Sequence, residues 1–424
     1  MRIRSISVTL ILGAAISCNV SNEDYGWLKN GIDTSVAQLK IAAEKADGTD
    51  MLPCCNYAGQ DLEFLGWQLG KEPSAFMDSL RACPPADKIG KMNLCGIYDW
   101  RSGFFPGSLW YGFEITGDKE LKEEAVKYTN MLNPIRSYNG THDLGFMMNC
   151  SYGNALRLSP DDTVATVLVE TADNLCSRFH SGIGAIRSWD FGPWNYPVII
   201  DNMMNLELLF NAERLTGDRK YRDIAIRHAN TTLANHFRPD RTSWHVVSYN
   251  NDGTVECRQT FQGRNDDSAW ARGQAWGVYG YTECFRETGD STYLAFAQEI
   301  ADMIMSRVNT DDLIPYWDYD APESPKTPRD ASAAAVTSCG LFELSTFISE
   351  GQRYFDYAEG ILRSLSSPAY LSTPGENDGF ILMHSTGSLP HGSEVDTALN
   401  YADYYYLEAI KRYMEIKGLE YSRL

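Results

Sequence analysis

Between Thr260 and Tyr281 the chain reads TFQGRNDDSAWARGQAWGVYGY, bringing Trp270, Arg272, Gln274 and Trp276 together just ahead of an apolar run. On a helix Arg272 and Trp276, four apart, share one face, and Trp270 and Gln274 share the next. Aromatic planes beside a guanidinium fork and an amide can hold a sugar ring that carries a carboxylate. The same residues also make an ordinary buried Trp pair with a capping Arg. The polar run Gln262-Gly263-Arg264-Asn265-Asp266 favours a site, because it is a loop feeding a helix start.

Two of the 56 acidic residues stand in unusual surroundings. Asp143 lies in THDLGFMM and Asp201 in PVIIDNMMN, each at a loop end and flanked by apolar residues. A carboxylate in such a setting is desolvated, so its pKa rises and it can donate a proton near neutrality. Alternatively, each aspartate simply caps its helix. Together they make a plausible carboxylate pair, the usual equipment of glycoside chemistry. His142 and His245 are the histidines best placed to join them. His228 and His236, eight apart on one helix, are expected to face solvent or a helix end. Asp266 and Asp267 are expected to cap the helix bearing Trp270, and Asp318, Asp320 and Arg329 to pair with one another across a Pro-rich loop.

These residues need a scaffold, and the chain supplies one by repetition. Apolar helical stretches run into tight polar turns, each followed by an amphipathic helix. The turns are Thr116-Gly117-Asp118, Ser159-Pro160-Asp161, Thr216-Gly217-Asp218, Thr288-Gly289-Asp290 and Ser349-Glu350-Gly351. Gly ending one helix and Asp capping the next is the chemistry of a short helical hairpin. With a first helix over Tyr25–Ala46 and a last over Val395–Ile416, about twelve helices are predicted. Stacked hairpins bury a shared inner layer, and six of them close into an all-α (α/α)6 barrel; an open solenoid is the alternative. The longer loops, near 134–145, 181–199, 238–269, 309–331 and 366–394, should gather at one end with the site. Residues 51–96, rich in Cys, Pro and Gly, form an irregular rim with one helix-like piece over Pro73–Arg81.

With 424 residues, 43% hydrophobic content and 12% aromatics, the chain can bury one large core. A net charge of −19 argues against nucleic acid or anionic lipid as the main partner. Arg2 and Arg4 precede an apolar run over Ile6–Ile16 that ends in Ala-Ile-Ser-Cys. This pattern predicts a signal peptide over residues 1–18 with a lipobox, lipidation at Cys18, a tether over 19–24 and one catalytic domain over 25–424. Lipid anchoring facing a Gram-negative periplasm, at the outer membrane, is the expected location. Nine further cysteines at scattered spacing are no disulfide framework, although Cys54, Cys55, Cys83 and Cys95 crowd one region where one bridge could form. No CxxC or HExxH occurs, so no metal site is expected.

From about Asp99 to Leu407 the chain resembles the unsaturated glucuronyl hydrolases of glycoside hydrolase family 88. The resemblance rests on HDLGFMM, IIDNMMNLELLF, SWHVV, TFQGRNDDSAWARGQAW, PYWDYDAP with PRDASAAA, and NYADYYYLEA. It implies removal of a 4,5-unsaturated uronic acid from the non-reducing end of lyase-generated, glycosaminoglycan-type oligosaccharides, by hydration of a vinyl ether and without cofactor. Asp201 matches the family's acid/base and Asp143 its second carboxylate. His142, His245, Gln262 and Arg272 match substrate-binding positions, with Trp270 and Trp276 as ring walls. Ser385 and Ser388 lie in a loop, His384–Ser388, where some members contact substrate sulfate; here no Lys follows through His391. Residues before Asp99 carry no part of the resemblance. Unsaturated rhamnogalacturonyl hydrolases share the barrel and are the nearest alternative. A non-catalytic lipid-anchored sugar-binding protein would need the aromatic pocket but not Asp201, and a solenoid scaffold would need neither.

Overall fold

The computed structural model describes residues 24–424. The expected signal peptide, Cys18 and most of the tether lie outside them. In chain order the helices are α1 (Gly26–Ala46), α2 (Leu62–Leu69), α3 (Phe104–Thr116), α4 (Lys119–Met131), α5 (Asn154–Leu158), α6 (Asp162–Ser177), α7 (Leu206–Thr216), α8 (Lys220–Asn235), α9 (Ala271–Thr288), α10 (Ser291–Arg307), α11 (Ala331–Phe347), α12 (Gln352–Leu365) and α13 (Asn400–Lys417). Seven short strands lie between them: β1 (Leu52–Asn56), β2 (Met92–Cys95), β3 (Phe179–His180), β4 (Ala185–Ile186), β5 (Pro197–Ile199), β6 (Val246–Tyr249) and β7 (Val255–Gln259). Their residues alternate too briefly to be recognised from sequence.

The inner layer is α3, the segment ending in α5, α7, α9, α11 and α13, each packed on the next, with α13 returning to α3. That closes the ring, so the fold is an (α/α)6 barrel and not an open solenoid. The outer layer is α4, α6, α8, α10, α12 and, from the other end of the chain, α1. The inner helices are buried nearly all round: α11 is apolar from Ala333 to Val336, and α9 is buried at every residue from Ala271 to Cys284. The outer helices bury one stripe only, such as Tyr354, Phe355, Ala358, Ile361, Leu362 and Leu365 in α12.

The three Thr-Gly-Asp turns share one hydrogen-bond plan. Each Gly takes the left-handed conformation (φ +75° at Gly117 and Gly217, +72° at Gly289) that side chains disfavour. Each Thr hydroxyl accepts the following Asp N–H, and each Asp carboxylate accepts the N–H two residues on. The Ser349-Glu350-Gly351 turn departs from this plan, since Gly351 has an ordinary φ of −68°.

The rim differs from expectation. Pro73–Arg81 holds two short 3-10 turns, and the α-helix is α2 instead, where Asp61 caps the N-terminus and Gly70 (φ +64°) closes the C-terminus. β1 and β2 pair antiparallel and close the segment at its neck. At the same end of the barrel, β5, β6 and β7 form a three-stranded antiparallel sheet. No helix among the described residues is long and apolar enough to cross a membrane.

Candidate active site

Asp201 follows β5 within a six-residue 3-10 segment, Ile200–Asn205. Asp143 precedes a nine-residue π-helix, Gly145–Gly153, which continues into α5. The wide π turn spans the junction where the two segments meet, a common place for such irregularity. Asn205 accepts the Phe146 N–H at 2.9 Å, and a Cβ on Gly145 would lie 2.5 Å from the Asn205 Cα, so only glycine permits this approach. Neither aspartate caps a helix through its side chain, which removes the capping alternative.

Asp201 is buried and its Oδ2 has no hydrogen-bond partner among the described residues. Burial pushes its pKa up to about 7; the Arg272 charge opposes that rise and the nearby Asp143 charge adds to it. The Trp276 indole N–H, which has no hydrogen-bond partner among the described residues, also lowers the Asp201 pKa. Asp143 is differently supported. Its Oδ2 accepts the Thr141 hydroxyl at 2.7 Å and its Oδ1 lies 3.2 Å from His142 Nε2.

His245 lies 3.7 Å from Asp201, Nε2 to Oδ2. Its Nδ1 accepts two backbone N–H groups, from Phe261 and Gln262, each at 3.1 Å. An imidazole nitrogen that accepts cannot carry the proton, so the proton sits on Nε2 and faces Asp201. Burial and the Arg272 charge hold the His245 pKa well below the usual value, which keeps the ring neutral. His245 is therefore a fixed neutral donor.

Arg272 is anchored, not open. It stacks over Trp270, donates through Nη1 to Asp330 and the Thr386 carbonyl, and through Nη2 to the Gly387 carbonyl, each at 2.6 Å. The guanidinium thereby ties the 384–388 loop and the start of α11 to α9, which fixes the fork in place. Trp270, just before α9, and Trp276, within it, are the residues that the resemblance matches to ring walls. Both are buried, because α9 is an inner helix, and Trp270 is sandwiched between Arg272 and His245. Further aromatic surface at the mouth is Trp189, Phe191, Trp194 and Phe261, with the Phe261 and His391 rings tilted against each other at 4.3 Å. Trp189 meets the His245 ring edge-on at 5.7 Å. Trp189 and Trp194 fall in the loop over 181–199 that was expected to border the site, whereas no local signal singles out Phe191, Phe261 or His391.

Gln262 is half-buried and donates to the Gly387 carbonyl at 3.2 Å. Ser388 shares a 2.6 Å hydrogen bond with His391, while the buried Ser385 hydroxyl has no partner among the described residues. Three further expectations are corrected. His236 does stand at the C-terminal end of α8, but both it and His228 are fully buried: His228 Nδ1 accepts the Ile186 N–H and His236 Nε2 donates to the Val198 carbonyl, so both hold the loop leading to Asp201. Asp266 accepts the Thr260 N–H and caps no helix, and α9 begins at Ala271 with no side-chain cap. Asp318 accepts from Arg264 N and Ser268 Oγ, Asp320 pairs with Arg307, and Arg329 with Asp312.

A closed six-hairpin barrel with two carboxylates of unlike environment at its loop end defines a glycoside hydrolase of the all-α barrel class. Comparison with known proteins narrows this. A family model described as a domain of unknown function matches residues 3–71. The chain is 46% identical over 319 residues to an unsaturated glucuronyl hydrolase of Formosa agariphila, covering 74% of this chain and 80% of that one. It is 34% identical to an unsaturated glucuronyl hydrolase of a Bacillus species, covering 80% and 92% respectively. A crystal structure described as an unsaturated glucuronyl hydrolase specific for heparin superposes with a TM-score of 0.85 at 46% identity, covering 94% of this chain and 99% of that one. The chain belongs to the unsaturated glucuronyl hydrolases.

Proposed function

We propose that Asp201 is the proton donor and acceptor for hydration of a 4,5-unsaturated uronic acid at the non-reducing end of a lyase-generated oligosaccharide. The observation that carries this is a buried carboxyl with a pKa near 7 and one oxygen unclaimed by the protein. The protonated carboxyl gives its proton to C4 of the double bond, and positive charge develops at C5 and the ring oxygen. The carboxylate left behind takes a proton from the water that attacks C5. Both protons balance, the acid is regenerated, and the C5 hemiketal opens to release the saturated sugar. Asp143, held by Thr141, would bind ring hydroxyls and favour the developing positive charge. His245 would donate its Nε2–H to the uronate carboxylate or to Asp201 once its proton has left. Because attack is at C5, the spacing rule for retaining and inverting glycosidases does not apply.

Since Asp201 must enter the cycle protonated, kcat/KM should be level below pH 7 and fall tenfold per unit above about 7. A pH profile that stays level through pH 9 would count against this assignment. Within the substrate class, the similarity to a heparin-specific structure supports heparin-derived disaccharides as the first to try. Turnover of unsaturated rhamnogalacturonyl substrates alone would instead favour the alternative reading.

We also infer that the chain is lipidated at Cys18 and faces the periplasm, on the strength of the charged start, the short apolar run and the small residues before Cys18. Expressed in a Gram-negative host, the wild type should sediment with membranes and Cys18→Ala should be largely soluble. Equal partition of the two would argue against the anchor.

A further inference from the structure

The 35 residues from Tyr57 to Lys91 leave the barrel through one neck, the β1–β2 pair, and carry little regular structure of their own beyond α2. At this neck Leu52 opposes Cys95, and the register slips between Pro53 and Cys55, making Cys54 the extra residue of a β-bulge. Cys54 and Cys95 are both buried, and their sulfurs and one Asp99 carboxylate oxygen all lie within 4.8 Å of one another. We propose that Cys54 and Cys95 are a thiol pair that closes as a disulfide across this neck.

The neighbours select this pair over others. Cys55 also lies beside Cys54, but its sulfur is engaged elsewhere, with Asn93 Nδ2 at 3.6 Å, Arg101 Nη1 at 3.8 Å and Glu394 Oε1 at 3.9 Å. Cys83 is exposed and belongs to no such group. A Cys54–Cys55 bridge would also need a strained eight-membered ring. The same thiols with Asp99 resemble a soft-cation site, but Asp99 is already committed. Its Oδ1 accepts Arg101 N and Nε, and its Oδ2 accepts Arg101 Nη2, each at 2.9 Å. A cation beside Asp99 would meet the Arg101 guanidinium.

The reaction is exchange with a disulfide oxidant, such as oxidised glutathione. One thiolate attacks the oxidant's S–S bond, the second displaces the mixed disulfide, and two protons leave. One S–S bond forms here and one breaks to two thiols in the oxidant. Burial of Cys54 disfavours its thiolate in the finished fold. Closure therefore belongs to folding, and the closed pair should resist reductant until the chain unfolds.

The test uses the full chain refolded in a glutathione redox buffer, then alkylated in denaturant without reductant and mapped by peptide mass. The expected result is one linked pair, Cys54 with Cys95, two hydrogens lighter than the separate thiol peptides. The oxidised wild type should melt about 4 °C above the reduced one, a difference absent from Cys54→Ala/Cys95→Ala. Alkylated thiols at both positions, a bridge from either to Cys55 or Cys83, or a stoichiometric zinc released on thiol modification would each overturn the proposal. The mapping needs no variant, so it stands even where the double variant does not fold.

Discussion

Asp201→Asn is expected to lower kcat by about 10³–10⁴ on an unsaturated uronyl disaccharide with KM little changed, and to make the folded protein more stable at pH 8. The loss follows from removing the one group placed to give and take the proton. The gain follows from linkage. In the folded state Asp201 binds its proton more tightly than in the unfolded chain, about 7 against 3.8. The folded protein therefore holds more protons between those values, and stability falls as pH rises through that window. Above pH 7 the buried charge costs on the order of 4 kcal/mol, which an uncharged amide does not incur. Thermal melts at pH 5 and pH 8, run beside steady-state kinetics, separate the two effects. A variant that is both inactive and destabilised at pH 8 would show that Asp201 holds the fold together and would count against a catalytic role.

Arg272→Ala is expected to have the largest combined effect on fold and site. It leaves Asp330, fully buried, without its cation, and frees the Thr386 and Gly387 carbonyls. Breaking a buried pair on one side costs about 3–5 kcal/mol, or roughly 4–6 °C in Tm for a chain this size. A second consequence is specific to the site. The Arg272 charge holds the Asp201 pKa down, so its removal should move the alkaline limb of kcat/KM to higher pH. Arg272→Lys should restore part of that shift but not the stability, since an ammonium cannot span three acceptors in two directions. An unmoved pH limb in Arg272→Ala, at full folding, would show that Arg272 acts only as a loop anchor.

These two residues also show where sequence reasoning reached and where it stopped. Asp201 and Asp143 stood out because an acid between apolar neighbours is unusual, and that signal is local. The barrel was legible for a similar reason: three Thr-Gly-Asp turns carry their own capping chemistry and repeat through the chain. Arg272 was legible but its anchors were not, because Asp330 and the Thr386 and Gly387 carbonyls lie about 60 to 115 residues away. His228 and His236 were expected to face solvent or a helix end, and their burial was not legible because the backbone groups they meet come from β4 and β5, about 40 residues away in the chain. The aromatic mouth was invisible for the same reason, being assembled from Trp189, Phe191, Trp194, Phe261 and His391 on three separate loops. Local chemistry is written in the sequence; partnership across loops is not.

The measurement that bears most directly on the proposed chemistry is the ultraviolet absorbance of the conjugated uronate, followed alongside release of the saturated sugar. It would be run on lyase-generated disaccharides, sulfated and unsulfated, with wild type beside Asp201→Asn. Absorbance should fall with wild type in step with one saturated sugar released per double bond lost, and should persist with Asp201→Asn. Persistent absorbance with wild type on every unsaturated uronyl disaccharide, or an equal fall with Asp201→Asn, would contradict hydration through Asp201.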